Sequence, residues 1–217
     1  MSDRSHIFVD YGEFLFRYDF NPQTLLRAHK LALKQINSQA GGQVTPDGLS
    51  KAHNDVIRAY LTARQDSTEW TMDRIMGLMI SNLGLNGNVS VPEVAEIYKL
   101  NDHDARPLAS TPESLPRLAE MGELGIISNL PHDSLIHELR GYDFLKYFRT
   151  VTVSYQVGFR KPHPAIYQEA MRRAQTTPEK STFLSHDQEE VNGAQAVGMR
   201  AFLAHDLAEA LTKLQTS

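Results

Sequence analysis

The chain has 217 residues, 41% hydrophobic and 22% charged, with a net charge of −4 and no cysteine. That length suits one large domain, or a core domain with a modest inserted one. The composition excludes a disulfide scaffold, thiol catalysis and Cys-type zinc sites, and the scattered Lys and Arg residues speak against a general nucleic-acid or membrane-surface binder.

Met1 to His6 is polar and leads directly into Ile7-Phe8-Val9, a short apolar run ending at Asp10. Such a run suits a strand buried on both faces. Neither a signal peptide nor a membrane-spanning stretch is expected, so the expected location is cytoplasmic. From about Asn21 to Tyr98 the pattern changes to helical spacing: Leu25, His29, Leu33 and Ile36, then Val56, Ile57, Tyr60 and Leu61, then Ile75, Leu78 and Met79. Breaks fall at Gly41-Gly42, Pro46-Asp47-Gly48 and Asn86-Gly87, and Pro22, Pro46 and Pro92 sit where a first helical turn tolerates proline. Three or four helices and little or no strand are predicted there. After Arg106-Pro107 strands and helices alternate. Thr111 reads as an N-cap, with Pro112 at the first position of a helix running to about Met121. A strand over Leu124–Ile127 ends at Ser128-Asn129, and a helix covers about Ser134 to Arg140. A third strand, Thr150–Val153, precedes a helix over Pro164–Ala174. A fourth, Thr182–Leu184, precedes a helix from about Glu189 to Val197, and a fifth, Met199–Ala204, precedes a helix over Leu207–Leu214. Strands separated by helices imply an α/β protein with a parallel sheet and right-handed crossovers. The helical stretch is then an insertion between the first and second strands.

In an open parallel sheet, ligands bind outside the carboxyl ends of the strands. The polar residues that follow the apolar runs are Asp10, Ser128-Asn129 and Ser185-His186-Asp187, and Arg160-Lys161-Pro162 lies in the loop after the third strand. Taken singly, each has a plainer reading as a cap, a turn or a solvated loop. Together they form a working set. A carboxylate attacks phosphorus or carbon, a hydroxyl, backbone N–H groups and a lysine hold the charge that develops, and the lysine favours the ionised carboxylate.

These residues resemble the motifs of the haloacid dehalogenase-like (HAD) hydrolase superfamily over nearly the whole core. The first motif reads Ile7-Phe8-Val9-Asp10-Tyr11-Gly12-Glu13-Phe14-Leu15, and the second is Ile126-Ile127-Ser128-Asn129. The third, which is the most specific, runs Val157-Gly158-Phe159-Arg160-Lys161-Pro162-His163-Pro164-Ala165-Ile166-Tyr167. The fourth keeps its frame from Thr182 through Ser185-His186-Asp187 to Gly193-Ala194. The resemblance implies a Rossmann-like three-layer core over residues 1–17 and 106–217, with an inserted α-helical cap domain over 18–105. The span from Ser128 to Lys161 is too short for a second cap. Arg17, His29, His53, Arg58 and Trp70 are candidates to face the core from the cap.

By the same resemblance, Asp10, Ser128 and Lys161 are catalytic, and Gly12, Ser128, Asn129 and Lys161 bind substrate. A Mg²⁺ ion would be held by Asp10, the carbonyl of Gly12, and His186 or Asp187, with Glu190 a further acid within reach. Two positions depart from the pattern. Gly12 stands where phosphatases of the family carry an Asp that acts as general acid and base, and Ser185-His186 stands where a metal-binding acidic pair is usual. The implied activity is hydrolysis of a small phosphate monoester through an aspartyl-phosphate. Metal-independent hydrolysis of a 2-halo acid by the same Asp10, a branch whose halide-binding Arg lies in the cap, is one alternative. A non-catalytic member that binds a ligand or partner is another. The expected partner is a small molecule rather than nucleic acid or membrane, and the expected state is a monomer or homodimer.

Overall fold

A computed structural model describes residues 5–42 and 44–216. Among these, β1 (His6–Val9) and β2 (Phe16–Asp19) are followed by α1 (Pro22–Ala40), α2 (Pro46–Ala63), α3 (Met72–Asn82) and α4 (Val91–Asn101). Then come β3 (Asp104–Pro107), α5 (Thr111–Met121), β4 (Glu123–Ser128), α6 (Ser134–Gly141), β5 (Phe148–Val153) and the short α7 (Ser154–Val157). The chain closes with α8 (Pro164–Ala174), β6 (Ser181–Ser185), α9 (Gln188–Ala196), β7 (Arg200–Leu203) and α10 (Leu207–Gln215). No described helix is long and apolar enough to cross a membrane.

The main sheet has the order β5-β4-β1-β6-β7, and each neighbouring pair is parallel. Alternation along β1 explains the layers. Ile7 and Val9 join a cluster with Leu115 and Leu118 of α5 and Leu207 and Leu211 of α10. Phe8 points the other way, into Ile166, Tyr167 and Ala170 of α8 and Ala194 of α9. Side chains on a strand alternate faces, so a strand buried on both sides is apolar at every position. The α/β class expected from the alternating pattern is the one observed.

The chain divides into two compact bodies. One comprises the segments up to Tyr18 and from Ala105 onward, and the other is Asp19–Asp104. The second body is helical and has its own core. Ala28, Ala32 and Ile36 line one face of α1, and they join Leu49, Val56 and Tyr60 of α2, Ile75, Met76 and Met79 of α3, and Val94 and Tyr98 of α4. Spacings of three and four residues place such side chains on a single stripe. Asn21 and Thr24 form a capping box at the start of α1, and Gly41 ends it in the left-handed region. Arg27 ties α1 to the end of α4, donating to the carbonyls of Asn101 and His103 and to the Asp104 carboxylate.

Two features differ from the sequence reading. β2 and β3 form a separate two-stranded sheet that periodicity does not announce. Thr111 is the first residue of α5 rather than its cap, and its hydroxyl donates to the Leu15 carbonyl at 2.8 Å. Other boundaries move by a residue or two, as fraying ends do.

Candidate active site

In this sheet the chain starts at the centre with β1, builds outward on one side through β4 and β5, then returns to the other side through β6 and β7. The reversal lies between β1 and β6, where flanking connections leave in opposite directions and open a crevice at the carboxyl edge. Asp10 follows β1 directly, and its N–H still donates to the Leu184 carbonyl of β6 at 2.9 Å. Ser128 ends neighbouring β4 and Ser185 ends β6, so strand order alone brings these ends together.

Asp10 is only 5% exposed, and both of its carboxylate oxygens are engaged. Oδ1 accepts from the Lys161 ammonium and from the Tyr11 N–H. Oδ2 lies 3.2 Å from Nδ1 of His186. The Lys161 side chain is fully buried and makes a second ion pair at 2.8 Å with Oε2 of Glu190. A lone buried ammonium would cost several kcal/mol in lost hydration, and two carboxylates offset that cost.

Glu190 is held in turn. Its Oε2 accepts from the Ser185 hydroxyl at 2.8 Å, and its Oε1 from the Asn129 amide at 3.2 Å. Its backbone carbonyl accepts from the Tyr167 hydroxyl at 2.7 Å. Asn129 also clamps the lysine loop. Its Oδ1 accepts the Lys161 N–H at 2.7 Å, while its Nδ2 donates to the Lys161 carbonyl at 3.2 Å. Gly193 lets α9 approach this loop, since a Cβ there would stand 2.7 Å from the Pro162 carbonyl.

Burial pushes the Asp10 carboxyl up, but Lys161 and His186 outweigh it and hold the group below its ordinary range. Burial likewise works against the Lys161 charge, and Asp10 and Glu190 more than reverse that, raising the ammonium. Burial and then the charge of Asp10 raise Glu190, against the pull of Lys161. The hydrogen bond with Asp10 raises His186 against its partial burial. The site thus pairs an ionised carboxylate with a fixed cation.

The other sequence candidates are placed as follows. Ser128 is buried at the end of β4. Gly12 is half-buried, and a Cβ built on it would meet only the Tyr18 ring, at 3.6 Å. Asp187 is the N-cap of α9 and accepts from the N–H groups of Glu189 and Glu190. In the helical body, Arg58 is exposed and pairs with Asp55, and Trp70 packs partly buried against the core. His53 is buried and stacks on Tyr98, with His29 edge-on to both. Arg17 itself is exposed beside Glu13.

Two groups escaped the candidate set. Glu190 appeared in sequence only as an acid within reach, although its spacing three residues after the Asp187 cap is a usable signal for the first helical turn. The Tyr11 and Tyr18 hydroxyls both donate to Oε2 of Glu138, at 2.6 and 3.0 Å, and no sequence pattern pointed to them.

A divalent ion such as Mg²⁺ needs several oxygen ligands at ~2.1 Å. Here Asp10 and Glu190 already accept donors on both oxygens, and Asp187 caps its helix. Among the described residues no group of three or more His, Cys, Asp or Glu side chains is arranged to hold an ion. The donor set that the resemblance nominated (Asp10, Gly12, His186 and Asp187) therefore does not fit Mg²⁺.

Residues 24–204 match the family model described as haloacid dehalogenase-like hydrolase. Over 108 residues the chain is 35% identical to the glyceraldehyde 3-phosphate phosphatase of Methanothermobacter thermautotrophicus, and the match covers 48% of this chain and 48% of that enzyme. It thus spans about half the length of that curated relative. Among solved structures, a 2-haloacid dehalogenase from Pseudomonas syringae pv. Tomato is 20% identical, with coverage of 98% of this chain and 99% of that one and a TM-score of 0.68. A HAD phosphatase from Thermococcus onnurineus is 18% identical, with coverage of 97% of both chains and a TM-score of 0.64. At these identities the structural likeness is one of fold.

Proposed function

The chain belongs to the haloacid dehalogenase-like hydrolases, and from that premise we propose that it hydrolyses a small phosphate monoester through a phosphoryl group carried on Asp10. The observation that carries this reading is the buried Asp10–Lys161 pair at the crevice between β1 and β6. The partial likeness to a phosphatase supports it.

Oδ1 of Asp10 is engaged twice, by Lys161 and by the Tyr11 N–H, and Oδ2 once, by His186, so Oδ2 keeps a lone pair and is the attacking atom. It forms the new bond to phosphorus as the bond to the ester oxygen breaks, and the departing alkoxide takes a proton from water, since Gly12 carries no acid. A water then attacks the aspartyl-phosphate, returning the free carboxylate and releasing inorganic phosphate. Lys161 and the Ser128 hydroxyl face the phosphoryl oxygens, Gly12 supplies backbone, and Asn129 holds the lysine loop in register. Residues 1–17 and 106–217 serve as the hydrolase core in this reading, and residues 18–105 as the inserted helical cap domain.

The poor fit to Mg²⁺ favours a second reading, in which the same Asp10 oxygen displaces halide from a 2-halo acid without a metal. A panel of phosphate monoesters and 2-halo acids, with and without Mg²⁺, separates the two. Wild type is expected to turn over at least one phosphate ester, and Asp10→Asn is expected to lose that activity by at least ~10³-fold. Turnover of halo acids alone would replace the first reading with the second. No turnover of either class, or a mutant that matches wild type, would leave a non-catalytic binding protein.

A further inference from the structure

We infer that His186 is a positioning residue that holds Oδ2 of Asp10 in the place a divalent cation would otherwise take, so that the site supplies its positive charge from side chains alone. A carboxylate that must meet an anionic ester needs positive charge beside it, from an ion or from the protein. Lys161 is on one oxygen of Asp10 and His186 Nδ1 lies 3.2 Å from the other. An imidazolium brings both a charge and a charge-assisted hydrogen bond there; a neutral imidazole protonated at Nδ1 still donates but leaves Lys161 to supply the charge.

The turn that carries His186 is built to keep it there. The Ser185 hydroxyl accepts the Asp187 N–H at 3.2 Å and donates to Glu190 at 2.8 Å. The Asp187 carboxylate accepts the Glu189 N–H at 2.8 Å, closing the first turn of α9. His186 therefore sits between two hydrogen-bonded neighbours, with its side chain about one-third exposed at the mouth and its ring nitrogen on Asp10. The carboxylates around it are turned to other partners: Asp187 to its helix, and Glu190 to Lys161, Ser185 and Asn129. A cation arriving at Oδ2 would meet an N–H donor, and the Glu190 carboxylate is already shared by Lys161, Ser185 and Asn129.

The purpose of this arrangement rests on the phosphoester reading, but its test needs no substrate. Binding of Mn²⁺ to the full chain is measured by titration calorimetry or by loss of the free-ion paramagnetic resonance signal. The variants are His186→Asp, His186→Ala and the double variant His186→Asp/Asp10→Asn, with folding checked by circular dichroism. Replacing the donor by a hard oxygen ligand in His186→Asp is expected to tighten Mn²⁺ binding by at least ~10-fold over wild type. The double variant is expected to lose that gain, and His186→Ala to bind Mn²⁺ no more weakly than wild type. Weaker binding by His186→Ala would make His186 a metal ligand and overturn the inference. Wild-type binding as tight as that of His186→Asp would overturn it equally. If the substrate panel shows no phosphate ester turned over while these titrations come out as expected, the phosphoester reading falls and the placement of His186 stands.

Discussion

At the scale of single residues, Gly12 and Glu190 say most about the site. The position two residues after Asp10 has room for a side chain, since a Cβ there meets only ring carbons of Tyr18 at ordinary contact distance, 3.6 Å. Gly12→Asp is therefore expected to fold and to place an acid beside the leaving group. On the phosphoester reading it should raise kcat by ~10-fold or more, short of the ~10²–10⁴-fold that an optimally positioned general acid contributes. A kcat equal to or below that of wild type would show that leaving-group protonation does not limit the reaction. Glu190→Ala leaves the buried Lys161 ammonium with one carboxylate in place of two. Breaking a buried ion pair by removing one partner is strongly destabilising, and a loss of about 3 kcal/mol is expected in urea denaturation. An unchanged midpoint would mean that Asp10 alone satisfies the lysine. Sequence spacing brought Asp10 and Lys161 forward as a pair, but it could not choose between Asp187 and Glu190 as the second acid. That choice depends on which side chain the first turn of α9 aims at the sheet.

At the scale of elements, α9 and α1 show how local signals position distant groups. Asp187 caps α9 by accepting two backbone N–H groups, and Glu190 projects from the same turn onto Lys161. Asp187→Ala should cost ~1 kcal/mol, as loss of a side-chain cap does, while Asp187→Asn should retain most of that stability. A melting series in which both variants match wild type would remove capping as the role of Asp187. Turn and capping residues made most helices legible, and α8 has the bounds that its pattern predicted, Pro164–Ala174. The β2–β3 ribbon was illegible for a physical reason. Phe16–Asp19 and Asp104–Pro107 are four residues each, of mixed polarity, and each forms only because the other lies beside it.

At the scale of the whole molecule, each of the two bodies has its own buried cluster. Asp19–Asp104 is one uninterrupted segment with an independent buried cluster. Expressed alone, it is expected to show helical circular dichroism and a cooperative melt, and a non-cooperative melt would show that its core needs the rest of the chain. His53 is expected to make this body acid-sensitive. Burial, then the neighbouring charge of His29, lowers its pKa from 6.5 to about 4, with Asp102 opposing. The unfolded chain therefore binds the proton first, so stability is complete above about pH 6.5 and falls as the pH drops toward 4, by up to about 3 kcal/mol. His53→Phe keeps an aromatic ring on Tyr98 and removes a buried nitrogen that has no hydrogen-bond partner. Its urea midpoint is expected to depend less on pH across that window, and an undiminished slope would assign the acid sensitivity to other groups.

The sequence by itself determined the elements of the parallel sheet, the helical insertion, and the polar strand ends at Asp10 and Ser128, with Lys161 in the loop beyond the third strand. These follow from periodicity, turn chemistry and motif spacing, which are local properties of a chain. Only the tertiary structure decided that Glu190 rather than Asp187 shares Lys161, that His186 rests on the second oxygen of Asp10, and that the room above Gly12 is bounded by Tyr18. Those facts depend on where side chains from separate strands and helices point once the sheet is assembled, and no local pattern encodes that direction.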